Sequence, residues 1–169
     1  DLETATLFFL QAINMAKTRL WIASPYFVPD EQIMSALQLA ALRGVDVRIL
    51  MPRKPDSELV RLSAFSYFEE GEKAGIKFYH HQRGFMHQKV ILIDERYSTI
   101  GTANFDNRSF RLNFEITMGI SSPAFAKEVE AMLLKDFDES VPVSSQVLTD
   151  GSPWFRLKVR VARLLAPIQ

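Results

Sequence analysis

The chain has 169 residues, of which 47% are hydrophobic and 24% are charged, as is usual for a single folded domain with a sizeable core. Its 20 basic and 20 acidic residues cancel, which argues against the cationic surface of a nucleic-acid binder, and the lack of cysteine excludes disulfides and thiol chemistry. No run of about 18 apolar residues is present, so no segment is predicted to span a bilayer by itself.

The first half of the chain alternates predicted helices with predicted strands. Pro25 ends the first strand because its ring removes a ladder donor, Asp30 has the position of a helix N-cap, and Gly75 has that of a helix stop. Such alternation favours an α/β fold in which helices cover a sheet. The predicted elements are a helix over 7–17, a strand over 19–24, a helix between 30 and 44, a strand over 45–50, a helix from 56 or 57 to 74 and a strand over 76–79.

The second half of the chain is richer in predicted β-structure. A helix begins at Pro123 and ends near Phe137, with its apolar residues at helical spacing. No internal repeat or low-complexity linker interrupts the sequence, so residues 1–150 are predicted to form one domain. Predicted strands cover 88–93, 98–100 and 115–120, and 141–148 is predicted to be extended.

Residues 151–169 are predicted to form a basic amphipathic segment that follows this domain. On a helical wheel the basic side chains share one face and most of the apolar side chains share another. Two interpretations stay open: a helix that lies in a membrane interface with a tryptophan near one end, or a helix that docks on its own domain. The basic residues are Arg156, Arg160 and Arg163, and the apolar residues are Trp154, Leu157, Val161, Leu164 and Leu165.

His87 and Lys89 are the first candidates for chemistry. Side chains two residues apart on a strand point to the same face, so the imidazole and the ammonium are predicted to project together. A lone histidine before a strand is more often structural, but two potential cations repel each other unless something anionic lies between them. The pair therefore indicates a phosphate ester as the ligand. Asp94, five residues after Lys89, falls on the opposite face of a regular strand and is predicted to support the scaffold.

Further fixed residues extend this pair into the pattern His-x-Lys-x4-Asp-x6-Gly-Thr-x-Asn. The pattern resembles the HKD motif of the phospholipase D superfamily, with threonine in place of the commoner serine in the glycine turn. Segments 25–31, 39–48 and 104–115 are also similar to the C-terminal half of bacterial cardiolipin synthases. The resemblance implies a mixed sheet flanked by helices on both faces, as an α/β/α sandwich with one HKD motif. The fixed positions are His87, Lys89, Asp94, Gly101, Thr102 and Asn104.

The resemblance also assigns roles to these residues. His87 is suited to attack phosphorus, forming a phosphohistidine, or to protonate the leaving oxygen, and Lys89 to neutralise the phosphate oxygens. Glu115 is expected to hold the imidazole through its second nitrogen, because the family uses a glutamate in the following strand in this way. Thr102 and Asn104 are expected to donate hydrogen bonds to the phosphate.

No cofactor and no metal are expected. A metal interpretation of His80, His81 and His87 is disfavoured, because adjacent histidines at a strand end diverge and the superfamily chemistry uses no metal. The family builds its site from two HKD motifs, and this sequence has one. The second is expected either upstream in a longer parent chain, of which this is the C-terminal half, or from a second copy of the chain. The start at Asp1, without a methionine, favours an excised piece.

The implied function is phosphatidyl transfer, in which two phosphatidylglycerols give cardiolipin and glycerol at a bacterial cytoplasmic membrane. The expected partners are a phospholipid, a membrane surface that this segment contacts peripherally, and the second HKD half; nucleic acid is not expected. One alternative is a homodimeric phosphodiesterase or nuclease with a single motif in each copy. Another is a folded but non-catalytic fragment that binds membranes.

Overall fold

The protein is described by a computed structural model that covers residues 3–165. Seven helices and nine strands make up this part of the chain. The helices are α1 (Thr4–Met15), α2 (Glu31–Leu42), α3 (Glu58–Ala74), α4 (Asn107–Arg111), α5 (Pro123–Asp138), α6 (Gln146–Thr149) and α7 (Pro153–Leu164). The strands are β1 (Arg19–Ala23), β2 (Phe27–Val28), β3 (Asp46–Pro52), β4 (Lys77–His81), β5 (Val90–Ile93), β6 (Tyr97–Gly101), β7 (Phe105–Asp106), β8 (Thr117–Ser121) and β9 (Ser140–Val143).

Seven of the strands form one mixed sheet in the order β8-β6-β5-β1-β3-β4-β9. Strands β1, β3 and β4 are parallel to one another, as expected for strands that alternate with helices. The other four strands of this sheet pair antiparallel with their neighbours; they are β5, β6, β8 and β9. The short strands β2 and β7 pair with each other in a separate two-stranded sheet.

Helices cover both faces of the large sheet. Along β1, Leu20 and Ile22 point to the face packed by α1, α2 and α3, whereas Trp21 and Ala23 point to the face packed by α5. This alternation follows from the two-residue period of a strand, and it requires apolar side chains on both faces. The predicted α/β fold, with a mixed sheet between two helical layers, is confirmed.

The first helix was predicted over 7–17 and spans Thr4–Met15, whereas the next two predicted helix starts and that at Pro123 are confirmed in atomic detail. The side chains of Asp30, Ser57 and Ser122 accept hydrogen bonds from backbone N–H groups three residues later, which are otherwise unpaired in a first turn. Gly75 ends α3 with a φ of 101°, in the left-handed region that glycine tolerates.

The predicted strands differ from the observed ones by one or two residues at their ends, and three predictions in the second half of the chain are wrong in ways that concern the site or the tail. Strand β5 begins at Val90 and not at Gln88, because its neighbour β1 ends at Ala23, the partner of Val90, just before Pro25. Strand β8 begins at Thr117 and not at Glu115. The extended segment predicted over 141–148 is β9 followed by α6, and the break comes where the Glu72 carboxylate accepts a hydrogen bond from the Ser145 N–H.

Helix α7 docks on α3, which is the second of the two interpretations of the tail. Val159 and Ala162 are buried against the domain, and the Ser63 hydroxyl donates to the Ala162 carbonyl. Arg163 donates to the Ser66 carbonyl at 2.8 Å and pairs with Glu70 at 3.1 Å. The prediction that 151–169 is a unit separate from 1–150 stays a prediction, and residues 166–169 lie outside the described part of the chain. Within residues 3–165, no helix combines the length and the apolar character that a membrane crossing demands.

Candidate active site

The predicted site residues lie at one edge of the large sheet. His87 and Lys89 immediately precede β5, whose first residue, Val90, pairs with Ala23 at the end of β1. Because β5 runs antiparallel to β1, its start lies at the carboxyl ends of the parallel strands β1 and β3. Ligands of open α/β sheets bind at this edge, since the loops that leave the strands diverge there.

His87 and Lys89 lie together, as their spacing predicted. The Lys89 ammonium lies 3.0 Å from Nδ1 and 3.2 Å from Nε2 of the imidazole, and it donates to the His87 carbonyl at 2.9 Å. The imidazole is exposed and stacks on the Phe85 ring at 5.3 Å. Partial burial lowers the pKa of Lys89, while the nearby carboxylates of Glu115 and Asp106 act to raise it. The pair presents an open imidazole beside a fixed cation.

Glu115 lies in the loop between α4 and β8, where its carboxylate joins three segments. It accepts hydrogen bonds from the Thr102 hydroxyl, from the Ser109 hydroxyl at 3.2 Å and from the Asn113 amide at 3.1 Å. The expected hydrogen bond to the His87 ring is not among the contacts of Glu115 in the described part of the chain. Since Glu115 also acts electrostatically on Lys89, it belongs to the site region, and its role towards the imidazole stays a prediction.

Thr102 and Asn104 lie in the turn that leaves β6. The Thr102 hydroxyl donates to Glu115 and accepts from the Ile116 N–H at 3.0 Å, so in this structure it ties the turn to the β8 segment. The side-chain oxygen of Asn104 is buried and has no hydrogen-bond partner within residues 3–165. A buried unpaired amide atom is costly, and rotation of the amide exchanges its oxygen for an N–H donor. Asn104 is therefore suited to bind a phosphate oxygen.

Gly101 is required by a close approach of two backbones. A Cβ at this position would lie 2.3 Å from the Ile116 carbonyl oxygen and 2.7 Å from the Thr117 Cα. The Gly101 N–H donates to the Lys89 carbonyl at 3.2 Å. The glycine thus places the Thr102 turn between the Lys89 backbone and the start of β8.

Sequence reasoning missed Ser109, which connects several of the site residues. Its hydroxyl accepts from the Asn104 N–H at 3.0 Å and donates to Glu115, while its own N–H donates to the Asp106 carboxylate at 2.7 Å. Asp106 is the N-cap of α4, and burial raises its pKa. An aspartate three residues before a serine at a possible helix start was the available signal, since an N-cap carboxylate accepts from that third N–H.

Asp94 lies at the opposite end of β5 from His87. Its carboxylate accepts from the backbone N–H groups of Lys17, Thr18 and Arg19, at 2.8 to 3.1 Å. Although partial burial acts to raise the pKa of Asp94, these hydrogen bonds lower it below its usual range. The residue has a φ of 53°, which aspartate tolerates better than most residues. These contacts suit a structural partner of the α1–β1 turn.

The two other histidines lie away from this pair. His80 packs among aromatic rings, including Phe65 and Phe68, and burial lowers its pKa to about 4. A ring nitrogen of His81 lies 3.4 Å from the Asp136 carbonyl oxygen. Within residues 3–165, no group of three His, Asp or Glu side chains is arranged to hold a metal ion.

The sequence was compared with known protein families and proteins. Residues 9–137 match the family described as "Cardiolipin synthase, PLD-like domain". The chain is 50% identical over 166 residues to cardiolipin synthase A of Pseudomonas entomophila, an alignment that covers 98% of this chain and 35% of that protein. The chain therefore spans about a third of the length of the curated relatives it matches.

Two solved structures share the fold. The phospholipase D family member Nuc from Salmonella typhimurium superposes with a TM-score of 0.73 at 25% identity, covering 83% of this chain and 91% of that one. Phosphatidylserine synthase from Haemophilus influenzae superposes with a TM-score of 0.77 at 16% identity, covering 97% of this chain and 44% of that one. The latter likeness is one of fold alone.

Proposed function

Since the chain belongs to the phospholipase D-like domain family of cardiolipin synthases, we propose that it supplies the C-terminal half of a two-motif phosphatidyltransferase site. The proposed reaction converts two molecules of phosphatidylglycerol into cardiolipin and glycerol. This reaction needs an accessible imidazole beside a fixed cation, which the exposed His87 and the adjacent Lys89 provide at the carboxyl edge of the sheet.

The observation that carries the proposal is that the chain presents one exposed histidine, His87, at this edge. The other two histidines, His80 and His81, end β4, where His80 packs against aromatic rings and His81 is buried. Phosphatidyl transfer through an enzyme-bound intermediate needs a neutral imidazole to attack phosphorus and a protonated group to release the alcohol. One imidazole cannot be in both protonation states at once. A second motif, upstream in a longer parent chain or in a second copy, therefore has to provide the other group.

The proposed reaction has two steps. In the first, a histidine nitrogen bonds to the phosphorus of one phosphatidylglycerol, the bond from phosphorus to the glycerol oxygen breaks, and the other histidine gives the leaving oxygen its proton. In the second, a headgroup hydroxyl of another phosphatidylglycerol attacks phosphorus while the latter histidine removes its proton. The phosphorus–nitrogen bond then breaks and cardiolipin is released. We assign His87 to the acid and base role, by analogy with the C-terminal motif of the family.

The proposed roles of the surrounding residues follow from their charge and hydrogen-bonding capacity. Lys89 neutralises the phosphate oxygens, on which negative charge increases in the transition state. Asn104 donates to one of these oxygens through its side-chain amide N–H. Glu115 stabilises the cations of the site, its carboxylate fixed by the hydroxyls of Thr102 and Ser109.

An exposed apolar surface next to Glu115 supports docking of a second half. Phe114 and Ile116 flank the glutamate and are exposed to 107% and 68%, and Met118 on the edge strand β8 is exposed to 63%. Ile100, the strand partner of Met118, extends the surface onto β6. An apolar surface of this size beside an incomplete site is typical of a protein–protein contact.

The proposal is tested in the complete enzyme, with phosphatidylglycerol vesicles as substrate and cardiolipin measured by mass spectrometry. We expect His87→Ala to lower the turnover number at least about 100-fold and Lys89→Ala to do the same, since each removes a group that acts in the transition state. Lys127→Ala, an exposed lysine on α5, is the matched control. Near-normal cardiolipin formation by either site variant would refute the proposal.

The alternative function is that of a homodimeric phosphodiesterase or nuclease. One observation favours it, because Nuc from Salmonella typhimurium, a phospholipase D family member, superposes on this single-motif chain over 91% of its own length. The zero net charge argues against it, since nucleic-acid affinity depends on the neutralisation of phosphates. Light scattering separates the two: a stable dimer that hydrolyses a bis-aryl phosphate diester supports the alternative. An inactive monomer supports the half-site or the non-catalytic membrane-binding fragment.

A further inference from the structure

Helix α7 exposes an apolar stripe although it is docked on the domain. Its docked side includes Val159 and Ala162, which are 4% and 1% exposed. Four large apolar side chains recur three or four residues apart along the helix and so share a different side. This apolar stripe consists of Trp154, Leu157, Val161 and Leu164, which are exposed to 73%, 48%, 50% and 80%. Single exposed apolar residues are ordinary on a protein surface, whereas four on one short helix indicate a binding surface.

The same helix is strongly basic. It carries four basic residues and no acidic residue, in a chain whose net charge is zero. Arg163 is used internally, because its guanidinium donates to the Ser66 carbonyl and lies over the Tyr67 ring at 4.9 Å. The other three side chains, Arg156, Lys158 and Arg160, are exposed and flank the apolar stripe on both sides. An apolar strip between cations is complementary to an anionic lipid surface.

The start of α7 lies beside the carboxyl end of β3. Gly151, two residues before the helix, lines a groove of about 1020 Å³ together with Arg53 and Lys54. Arg53 directly follows β3, whose carboxyl end lies beside that of β1, and β1 pairs there with the start of β5. The groove therefore connects the start of α7 with the carboxyl side of the sheet.

We infer that the apolar stripe of α7 docks the protein on an anionic phospholipid bilayer. Burial of the four apolar side chains among lipid headgroups removes them from water, and the three exposed cations meet the lipid phosphates. The inference rests on the proposed function for the identity of the lipid, phosphatidylglycerol. Helix α7 is then the part of the chain that contacts the membrane holding the substrate. The other possible occupant, a second copy of the chain, is separated by the experiment.

The test uses the intrinsic fluorescence of the 169-residue chain. Trp154 is 73% exposed and Trp21 is 5% exposed, so lipid contact at the apolar stripe shifts the emission of one tryptophan and leaves the other unchanged. We expect phosphatidylglycerol vesicles to shift the emission to shorter wavelength, and phosphatidylcholine vesicles to bind at least about tenfold more weakly. Trp154→Phe is expected to remove the emission shift while vesicle co-sedimentation persists.

Substitutions distinguish binding through the apolar stripe from non-specific hydrophobic adsorption to vesicles. Leu157→Asp with Leu164→Asp is expected to weaken vesicle binding at least about tenfold, since each side chain loses its favourable burial. The matched control is Leu42→Asp, an apolar residue on α2 that is 71% exposed, which is expected to leave binding unchanged. Thermal unfolding of each variant is the control for correct folding.

The cations are tested in the same assay. Arg156→Gln with Arg160→Gln is expected to weaken binding to phosphatidylglycerol vesicles roughly 30-fold, and the control pair Lys127→Gln with Lys135→Gln on α5 has no effect. Lack of binding to anionic vesicles overturns the inference, as does equal loss in the stripe and control variants. If the chain forms a dimer that the stripe variants dissociate, and it does not bind vesicles, the stripe is a protein–protein contact and the inference is overturned as well. His87→Ala keeps vesicle binding, so a failure of the proposed chemistry is distinguishable from a failure of the membrane contact.

Discussion

At the scale of single residues, the Asp94 carboxylate is among the most heavily hydrogen-bonded groups of the HKD pattern. Three backbone N–H groups and the Thr18 hydroxyl donate to it, and Arg19 donates to its carbonyl at 2.7 Å. These donors come from the turn between α1 and β1, at the end of β5 away from His87. Because Asp94 falls on the opposite strand face from Lys89, a structural role was predictable for it. The residues that donate hydrogen bonds to its carboxylate lie some 75 residues earlier in the chain and were not predictable.

Asp94→Ala is expected to lower the free energy of unfolding by about 2–4 kcal/mol, because several hydrogen bonds worth about 1 kcal/mol each are lost and alanine disfavours a positive φ. Asp94→Asn keeps acceptor capacity and tolerance of this φ, so we expect about half that loss. The folded pKa is depressed, so the contribution of the charge is present above the unfolded pKa of about 4 and is lost as pH falls through the folded value. Urea unfolding at neutral and acidic pH measures both effects.

The neighbouring Glu95→Gln, at an exposed position, is the control for the loss of a negative charge. The account also expects folded Asp94→Asn enzyme to keep most of its turnover number. If Asp94→Asn were fully stable but had no turnover, Asp94 would instead have a direct role in catalysis.

The hydrogen-bond partners of the Glu115 carboxylate were predictable only in part. The sequence pattern led to Glu115 and Thr102, and the structure places them in direct contact. Ser109 and Asn113, which hold the other carboxylate oxygen, belong to no pattern that reasoning from one sequence had identified. Their contribution depends on a helix of five residues, α4, which is too short to give a periodic signal.

At the scale of elements, the site depends on the close approach of β6 and β8 at Gly101. Gly101→Ala is expected to lower the free energy of unfolding by about 1–3 kcal/mol and to reduce turnover, because the added methyl would collide with backbone atoms of Ile116 and Thr117. Backbone atoms of a paired strand cannot move aside without disturbing the Thr102 turn. Chemical unfolding and steady-state kinetics provide the measurements.

Gly119→Ala on β8 is the matched control. A Cβ there would meet the Tyr97 hydroxyl, at the end of a side chain that is able to rotate away. We expect a smaller loss of stability than for Gly101→Ala and little change in turnover. Equal effects of the two substitutions would contradict the role assigned to the Gly101 turn.

Long periodic elements were predictable from sequence, and short paired ones were not. Helix α3 was predicted with a cap at Asp56 or Ser57 and a stop at Gly75, because both signals are local, and the structure has Ser57 as the cap. Strands β2 and β7 have two residues each, and their pairing depends on contacts between distant segments. The Phe27 ring stacks on Phe105 at 6.0 Å, and the Ser24 hydroxyl accepts from the Phe105 N–H at 3.0 Å. No local pattern encodes either contact.

At the scale of the whole molecule, the proposed half-site lies on an open edge of the sheet. The His87 side chain is exposed, Phe114 and Ile116 expose an apolar surface on either side of Glu115, and the chain spans about a third of the length of its curated relatives. The sheet and its two helical layers followed from the alternation of apolar patterns. The proposed second half rests on the count of motifs, since the sequence contains one HKD motif and no local pattern specifies its partner.

The proposed role of His87, as the acid and base beside a second catalytic histidine, is open to a kinetic test. The experiment is pre-steady-state kinetics of the complete enzyme carrying His87→Ala, with a nitrophenyl ester of a phosphatidyl group as substrate. Nitrophenolate leaves without an acid, whereas the attacking alcohol still needs a base. We expect a burst of one nitrophenol per active site, followed by turnover at least about 100-fold slower than that of the unaltered enzyme. Sustained turnover at the rate of the unaltered enzyme would contradict the proposed role.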